Sequence, residues 1–251
     1  MQLRITAIGL LLLASCSSPS PTPAALIGDG VTERPDVLLL GEQHDAPSHQ
    51  ETHRQVVQAL AADGRLATLA LEMAEQGVST AGLSRDASEA AIRSALRWDE
   101  SGWPWAPYRP AVMAAVAAGV PVVGANLQRG LLRAAMTDVS LDTTLPGPAV
   151  EAQQQAVRVG HCGLLPESQI APMTRVQIAR DRAMAGTIAG QVVPGKTVLL
   201  IAGVGHVDPD GGVPRHLPAG LASKSVMLPA PLVQKRDYCE DMRRHLAPKH
   251  T

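Results

Sequence analysis

Residues 37–45 read Val-Leu-Leu-Leu-Gly-Glu-Gln-His-Asp, and this stretch decides the fold. Its first four residues form a continuous apolar run, which is typical of a strand buried on both faces of a sheet. The run ends at a glycine, and Glu42 and His44 follow it two positions apart. Residues at that spacing point to the same side of an extended chain. The stretch therefore predicts a buried strand with a polar site at its carboxyl end.

Three further apolar runs end in polar residues in the same way. They cover 68–71, 120–124 and 197–202, and the residues that follow include Glu72, Asn126 and His206. Helical patterns lie between the strands, near 47–62, 87–97, 107–118, 129–137 and 168–190. Alternating strands and helices predict an α/β fold with a mostly parallel central sheet and flanking helices. Ligands bind at the carboxyl ends of the strands in such sheets, so we expect these polar residues to share one site with Glu42 and His44.

The composition is that of an ordinary globular protein. The chain has 251 residues, of which 45% are hydrophobic and 18% charged, a balance that excludes general disorder. The formal net charge is -1, so the basic excess typical of a nucleic-acid binder is missing and no nucleic-acid partner is expected. Three cysteines exclude a scaffold built on disulfides. Cys162 and Cys239 can pair in an oxidising compartment, and the sequence leaves their pairing open.

The amino terminus has the pattern of a bacterial export signal. Residues 1–15 contain an early arginine and an apolar run that is too short to span a membrane. Leu-Ala-Ser-Cys at 13–16 is similar to a lipobox, which predicts cleavage before Cys16 and its lipidation; an ordinary signal peptide is the alternative. Residues 16–35 are rich in Ser and Pro and predict an extended tether. We expect one α/β domain over 36–251, lipid-anchored in the cell envelope, with the outer membrane favoured.

The aromatic residues are concentrated in one segment. The chain has three Trp, two Tyr and no Phe, and four of these five residues lie close together, at Trp98, Trp103, Trp105 and Tyr108. Such side chains offer a flat surface with polar tips to a ligand. The alternative is a hydrophobic plug that closes one end of the sheet, and one segment can serve both purposes.

Three further patterns each have a structural alternative. His49 and His53 share a helix face, but the zincin pattern needs Glu directly after the first His, so we interpret them as a polar helix face. His161 beside Cys162 has the residue types of a soft-metal or haem-iron site, with an ordinary loop histidine as the alternative. One helical stripe, which we interpret as core with an ion-paired edge, contains Met173, Gln177, Arg180 and Met184.

Taken together, these segments resemble the ChaN-type haem-binding lipoprotein family. The matching motifs are Leu-Leu-Gly-Glu-Gln-His-Asp at 39–45, Leu-Glu-Met at 71–73, Trp-Asp-Glu-Ser-Gly-Trp at 98–103, Tyr-Arg-Pro at 108–110, His-Cys-Gly-Leu-Leu-Pro at 161–166, Gln-Ile-Ala-Arg-Asp at 177–181 and Ala-Gly-Val-Gly-His at 202–206. The sequence departs from the family at Val204, where the family often has Asn.

The resemblance implies haem as the cofactor and a role in iron acquisition. It also implies a membrane anchor, a homodimer that forms around facing haems, an outer-membrane uptake system as partner, and a tyrosine on the haem iron. Tyr108 is the favoured ligand because the other tyrosine, Tyr238, lies beyond the matching segments. His161 is the alternative iron ligand. Further haem contacts are expected from Trp98, Trp103 and Arg109.

The resemblance also places the chain in the broader Tiki superfamily, which includes erythromycin-esterase-like enzymes and metalloprotease-like proteins, and this implies a second function. The active-site elements of those enzymes match Glu42, His44, Glu72 and His206. The alternative is therefore a hydrolase in which this cluster acts as a general base or holds a divalent metal ion that activates water. A structural lipoprotein with a relict site is a third possibility. Haem binding is favoured, and the sequence leaves enzymatic activity open.

Overall fold

The structure is a computed structural model that describes residues 23–27, 34–230 and 237–246. The predicted signal peptide, Cys16 and most of the tether lie outside these residues. Helix α1, Pro23–Ile27, lies within the predicted tether, and its Leu26 and Ile27 are buried in the main core. The prediction of an extended tether is therefore wrong at these five residues, because two apolar side chains are buried where α1 packs against the helix that follows β1.

The centre of the fold is a five-stranded, all-parallel sheet. The strands are β1 (Val37–Glu42), β2 (Leu66–Glu75), β3 (Val122–Asn126), β4 (Thr197–Gly203) and β5 (Ser223–Met227). Their order across the sheet is β3-β2-β4-β1-β5. This confirms the predicted α/β fold and its four apolar strands. Strand β5 was not predicted, because this edge strand is short and partly exposed and lacks an apolar run.

Helices cover both faces of the sheet. They are α2 (Pro47–Ala62), α3 (Glu89–Ala95), α4 (Trp105–Ala117), α5 (Leu132–Thr137), α6 (Gly147–Gly160), α7 (Ile170–Ala189) and, near the carboxyl terminus, α8 (Tyr238–Leu246). Alternate residues of β1 enter different cores: Leu38 and Leu40 pack with α2 and α4, whereas Leu39 packs with α7. Each such leucine contributes on the order of 1.5–3 kcal/mol by its burial. The alternation accounts for the uninterrupted apolar run in this strand.

Helix α6 was not predicted, although it forms one wall of the site described below. It contains mainly Ala, Gln and Val, and it buries only Ala149 and Val157. With only two buried residues among fourteen, its apolar stripe is narrow, although the helix is amphipathic. With α5 and α7 it encloses a small separate core around Leu141, Leu145 and Ile178.

A disulfide joins Cys162, just after α6, to Cys239 in α8, with their Cα atoms 5.4 Å apart. The pairing that the sequence left open is therefore present. It connects positions 77 residues apart and fixes the loop after α6 to the carboxyl-terminal helix. Within the described residues, no helix has the length and apolar composition needed to cross a membrane.

Candidate functional site

The polar residues predicted from the strand ends meet at one edge of the sheet. His44 Nδ1 lies 2.8 Å from Glu42 Oε1, and His44 Nε2 lies 3.8 Å from Glu72 Oε2. His206 Nε2 lies 3.4 Å from Glu72 Oε1. The fifth predicted member, Asn126, donates a hydrogen bond to the Glu72 backbone carbonyl. The structure thus brings together every residue that the strand ends predicted, while their function stays a prediction.

The Glu72 carboxylate is the centre of this cluster. It is 2% exposed, and its Oε1 accepts a 2.6 Å hydrogen bond from Arg180 Nη2. Its Oε2 accepts a 2.7 Å bond from the Gly203 backbone N–H. Burial would raise the pKa of Glu72, but His206, Arg180 and His44 outweigh it and hold that pKa well below its usual range. The carboxylate is therefore charged, and both of its oxygens are occupied.

His206 lies between two buried carboxylates. Its Nδ1 donates a 2.6 Å hydrogen bond to Asp181 Oδ1, and its Nε2 faces Glu72. Burial would lower the pKa of His206, but the two carboxylates together raise it to about 10. The imidazole is therefore protonated at neutral pH. With both nitrogens protonated it has no lone pair for a metal ion.

A second hydrogen-bonded group surrounds Glu42. Its Oε1 accepts from His44 Nδ1 at 2.8 Å and from the Tyr108 hydroxyl at 2.9 Å. Burial and the Glu42 carboxylate raise the pKa of Tyr108 far above its usual value, so the phenol keeps its proton. Burial would lower the pKa of His44, but its hydrogen bond to Glu42 and the nearby carboxylates raise it. Tyr108 and Glu42 thus fix the position of the His44 ring.

His49 and His53 do share one face of α2, as predicted, but both rings are buried rather than part of a polar surface. His49 accepts a hydrogen bond from the Gln43 backbone N–H at Nδ1, and its Nε2 donates to the Pro229 carbonyl. His53 Nδ1 lies 3.6 Å from Glu42 Oε2, without a hydrogen bond. Burial lowers the pKa of His53 to about 4, so the ring is neutral.

The absence of a side chain at Gly203 leaves the space in which His44 and Glu72 approach each other. A Cβ at this position would lie 2.9 Å from His44 Nε2 and 3.5 Å from Glu72 Oε2. A side chain here would therefore force His44 away from Glu72. The glycine that follows the fourth apolar run is required by this close approach.

The cluster lines a cavity of about 530 Å³. Small residues of α6 form the opposite wall, namely Ala149, Ala152, Ala156 and Gly160. A second cavity, of about 740 Å³, lies next to the first. Five residues line both cavities, namely Glu72, Trp103, His161, Gln177 and Arg180. We call these five residues the shared wall. Each cavity has the size of a ligand pocket, about 300–1,000 Å³.

Only two of the five predicted haem-contacting residues line these cavities. Trp103 and His161 belong to the shared wall, and Trp103 packs edge-on against His44 with 4.7 Å between ring centroids. Tyr108 is 2% exposed and lines neither cavity. Trp98 packs against Trp105, and its indole N–H donates to the Trp103 carbonyl. Trp98 therefore lies behind Trp103 and lines neither cavity. The segment is thus mainly a plug, and of its four aromatic residues only Trp103 lines a cavity.

Arg109 also lies away from both cavities. It forms an ion pair with Glu89, and roughly half of its side chain is exposed.

Sequence analysis missed two essential members of the site, Arg180 and Asp181. Both lie on α7, far along the chain from the strand ends. The helical stripe predicted an ion-paired edge, and Arg180 is part of that edge through its bond to Glu72. The stripe did not show which carboxylate Arg180 would bind. Asp181 gave no signal beyond its position next to that arginine.

The residues do not fit the divalent metal ion that the hydrolase alternative allowed. Within 23–27, 34–230 and 237–246, no group of three or more His, Cys, Asp or Glu side chains is arranged to hold one. The donor chemistry gives the reason. The oxygens of Glu72 are occupied by Arg180 and Gly203, and His206 is protonated.

Comparison with known proteins identifies the family. The profile of the haem-binding uptake family, Tiki superfamily, ChaN, matches residues 31–217, well over half of the chain. The chain belongs to this ChaN family. A solved structure of cofacial haem binding to ChaN of Campylobacter jejuni superposes with a TM-score of 0.66 at 22% identity. The superposition covers 80% of this chain and 84% of the other, and it confirms the fold. None of the curated proteins matches the chain in sequence.

The position of His206 between two carboxylates predicts how stability depends on pH. Its folded-state pKa is raised from 6.5 to about 10, so its contribution is complete below pH 6.5 and is lost as the pH rises through 10. We expect the unfolding free energy of the protein to fall between pH 6.5 and 10 by roughly 3–5 kcal/mol more than that of a His206→Gln variant.

Urea unfolding at several pH values measures this difference. NMR titration of the histidine ring protons, with the His206 signal assigned by its loss in the variant, measures the pKa itself. A His206 ring that titrates near pH 6.5 would contradict its placement between Glu72 and Asp181.

Proposed function

We propose that this protein binds haem at the shared wall of the two cavities and takes part in haem uptake at the bacterial cell envelope. Membership of a haem-binding uptake family supports the ligand. The wall supplies a flat aromatic surface, Trp103, and an imidazole, His161. The two adjacent cavities leave room on either side of the wall for a ligand broader than one pocket.

The geometry of His161 carries the proposal. Its Nδ1 lies 2.8 Å from the Val157 carbonyl oxygen, so this nitrogen carries the proton and donates. The lone pair of Nε2 is then available for a metal. A histidine whose far nitrogen is held by a backbone carbonyl is the usual arrangement of an imidazole ligand, and histidine is a common axial ligand of haem iron.

The structure around His161 also holds it in place. The residue directly follows α6, and Cys162 beside it has a left-handed backbone and is bonded to Cys239. Tyr108 is a less suitable ligand in this structure. Its hydroxyl is buried and donates to Glu42, so ligation would require the loss of that bond and the movement of the helix segment that carries it.

Titration with haemin, followed through the Soret band, tests the proposal. We expect saturable binding by the protein and at least tenfold weaker binding by a His161→Ala variant, since the iron loses a ligand. A His161→Gly variant should regain a nitrogen-ligated spectrum when free imidazole is added. Tyr108→Phe is the matched control and should keep the spectrum of the unaltered protein.

The outcomes separate the possible ligands. Absence of saturable haemin binding by the unaltered protein would refute the function. A change of spectrum in Tyr108→Phe alone would assign the iron to Tyr108. We also propose that a homodimer forms when haem binds, since haem binding to the Campylobacter protein is cofacial. Sedimentation of the same samples tests this homodimer.

We further propose that the protein is held at the membrane by a lipid on Cys16 and delivers haem to an outer-membrane uptake system. The lipobox-like residues 13–16 support the anchor. The expected result is that Cys16→Ser moves the protein from the membrane fraction to the soluble fraction. If that variant still sediments with the outer membrane, the anchor lies elsewhere.

Hydrolysis is a second candidate function, and the Glu42–His44 pair is the observation that favours it. Glu42 orients a partly exposed imidazole on a cavity wall, which is the arrangement of a general acid or base. Glu72 is unsuited to that role because both its oxygens are occupied. We expect hydrolysis of p-nitrophenyl acetate to be faster in the unaltered protein than in His44→Gln; equal rates would remove this candidate.

A further inference from the structure

The second cavity is lined by apolar and polar residues in about equal measure, and three arginines are among them. Its apolar residues include Leu96, Leu127, Leu132, Met173 and Val176. The three arginines are Arg97, Arg129 and Arg180. The shared wall borders this cavity as well as the first. A ligand bound at that wall therefore also contacts the second cavity, whose chemistry determines which part of the ligand it accepts.

Two of the three arginines have carboxylate partners. Arg129 Nη2 donates a 2.6 Å hydrogen bond to Asp99, and Arg180 is bonded to Glu72. The remaining acid of this cavity, Glu75, accepts a hydrogen bond from the Arg129 backbone N–H. In the part of the chain that the structure describes, no hydrogen bond or ion pair involves the Arg97 guanidinium. The cavity thus carries an arginine without a carboxylate partner.

The backbone of Arg97 gives an independent indication that its side chain has a function. Its φ is 45°, in the left-handed region that glycine normally occupies. Arg97 directly follows Leu96, the C-cap of α3, and Trp98 N–H bonds back to the Arg93 carbonyl. This is the position at a helix end where glycine is preferred. An arginine here is unfavourable for the fold, and strained residues concentrate at ligand sites.

We infer that Arg97 anchors a carboxylate of the ligand, so that the second cavity accepts the acid-bearing side of haem. The inference rests on the proposed haem site and adds the orientation of the ligand in it. Haem carries two propionate groups, and an arginine guanidinium pairs with a carboxylate through two parallel hydrogen bonds. Arg97 is exposed, so the charged edge of the macrocycle would lie toward solvent.

Replacement of Arg97 by glycine separates this function from folding. Because Arg97→Gly relieves the left-handed backbone, the thermal unfolding midpoint should rise. The affinity for haemin should fall at least tenfold, because a charge-assisted pair is lost. Arg97→Lys should retain part of the affinity. Arg133→Ala, which removes an exposed arginine that lines neither cavity, is the control and should bind haemin as the unaltered protein does.

Haemin dimethyl ester, in which both carboxylates are blocked, is the second probe. We expect the unaltered protein and Arg97→Gly to bind this ester equally, although they differ for haemin. Equal haemin affinity in the two proteins would overturn the inference while leaving the haem site intact. An equal loss of affinity for haemin and for the ester would also overturn it, since no carboxylate would then be involved. Failure of the unaltered protein to bind haemin refutes the proposed function itself.

Discussion

The buried charge of Glu72 is the constraint on which the rest of the site depends. A carboxylate at this depth costs several kcal/mol of desolvation unless cations and hydrogen-bond donors surround it. The fold supplies them from three elements: Arg180 from α7, the Gly203 N–H from the end of β4, and His206 from the turn that follows. These contacts hold α7 against the carboxyl edge of the sheet. They also place Arg180 on the shared wall.

The same contacts give the two cavities different charged groups. At the base of the first cavity, protonated His206 and Arg180 together balance the charges of the Glu72 and Asp181 carboxylates. Glu42 and Tyr108 position His44 in front of that base, and Trp103 packs on its ring. On the other side of the wall apolar and polar surface contribute about equally, and Arg97 has no acidic partner among the described residues. A ligand with an aromatic body and an acidic edge matches this division.

Sequence reasoning predicted the part of the site that depends on strand ends. Apolar runs locate buried strands, and parallel strands align their carboxyl ends, so Glu42, Glu72 and His206 could be brought together from their order alone. The contribution of α7 could not, because the rotation and depth of a helix packed on a sheet depend on tertiary contacts. Arg180 and Asp181 therefore lacked a partner until the structure showed their distances to Glu72 and His206.

Burial was the other quantity that the sequence did not provide. The sequence left open whether Tyr108 lies on a ligand surface or in a hydrophobic plug, and its hydroxyl is bonded to Glu42 inside the core. His49 and His53 looked like a polar surface and are buried under β1. Residue types and spacing show which side chains share a helix face. They do not show whether that face is packed against the rest of the protein or exposed to solvent. Helix α6 was not expected either, because only two of its fourteen residues are buried and the others are mainly small or polar.

The central claim is that one haem lies against the shared wall, with iron at His161. A crystal structure of the protein grown with haemin tests it most directly. The account predicts density for the macrocycle against Trp103, continuous density between the iron and His161 Nε2, and a propionate within hydrogen-bond distance of Arg97. Haem bound elsewhere on the molecule, or iron bonded to a residue outside the shared wall, would contradict it.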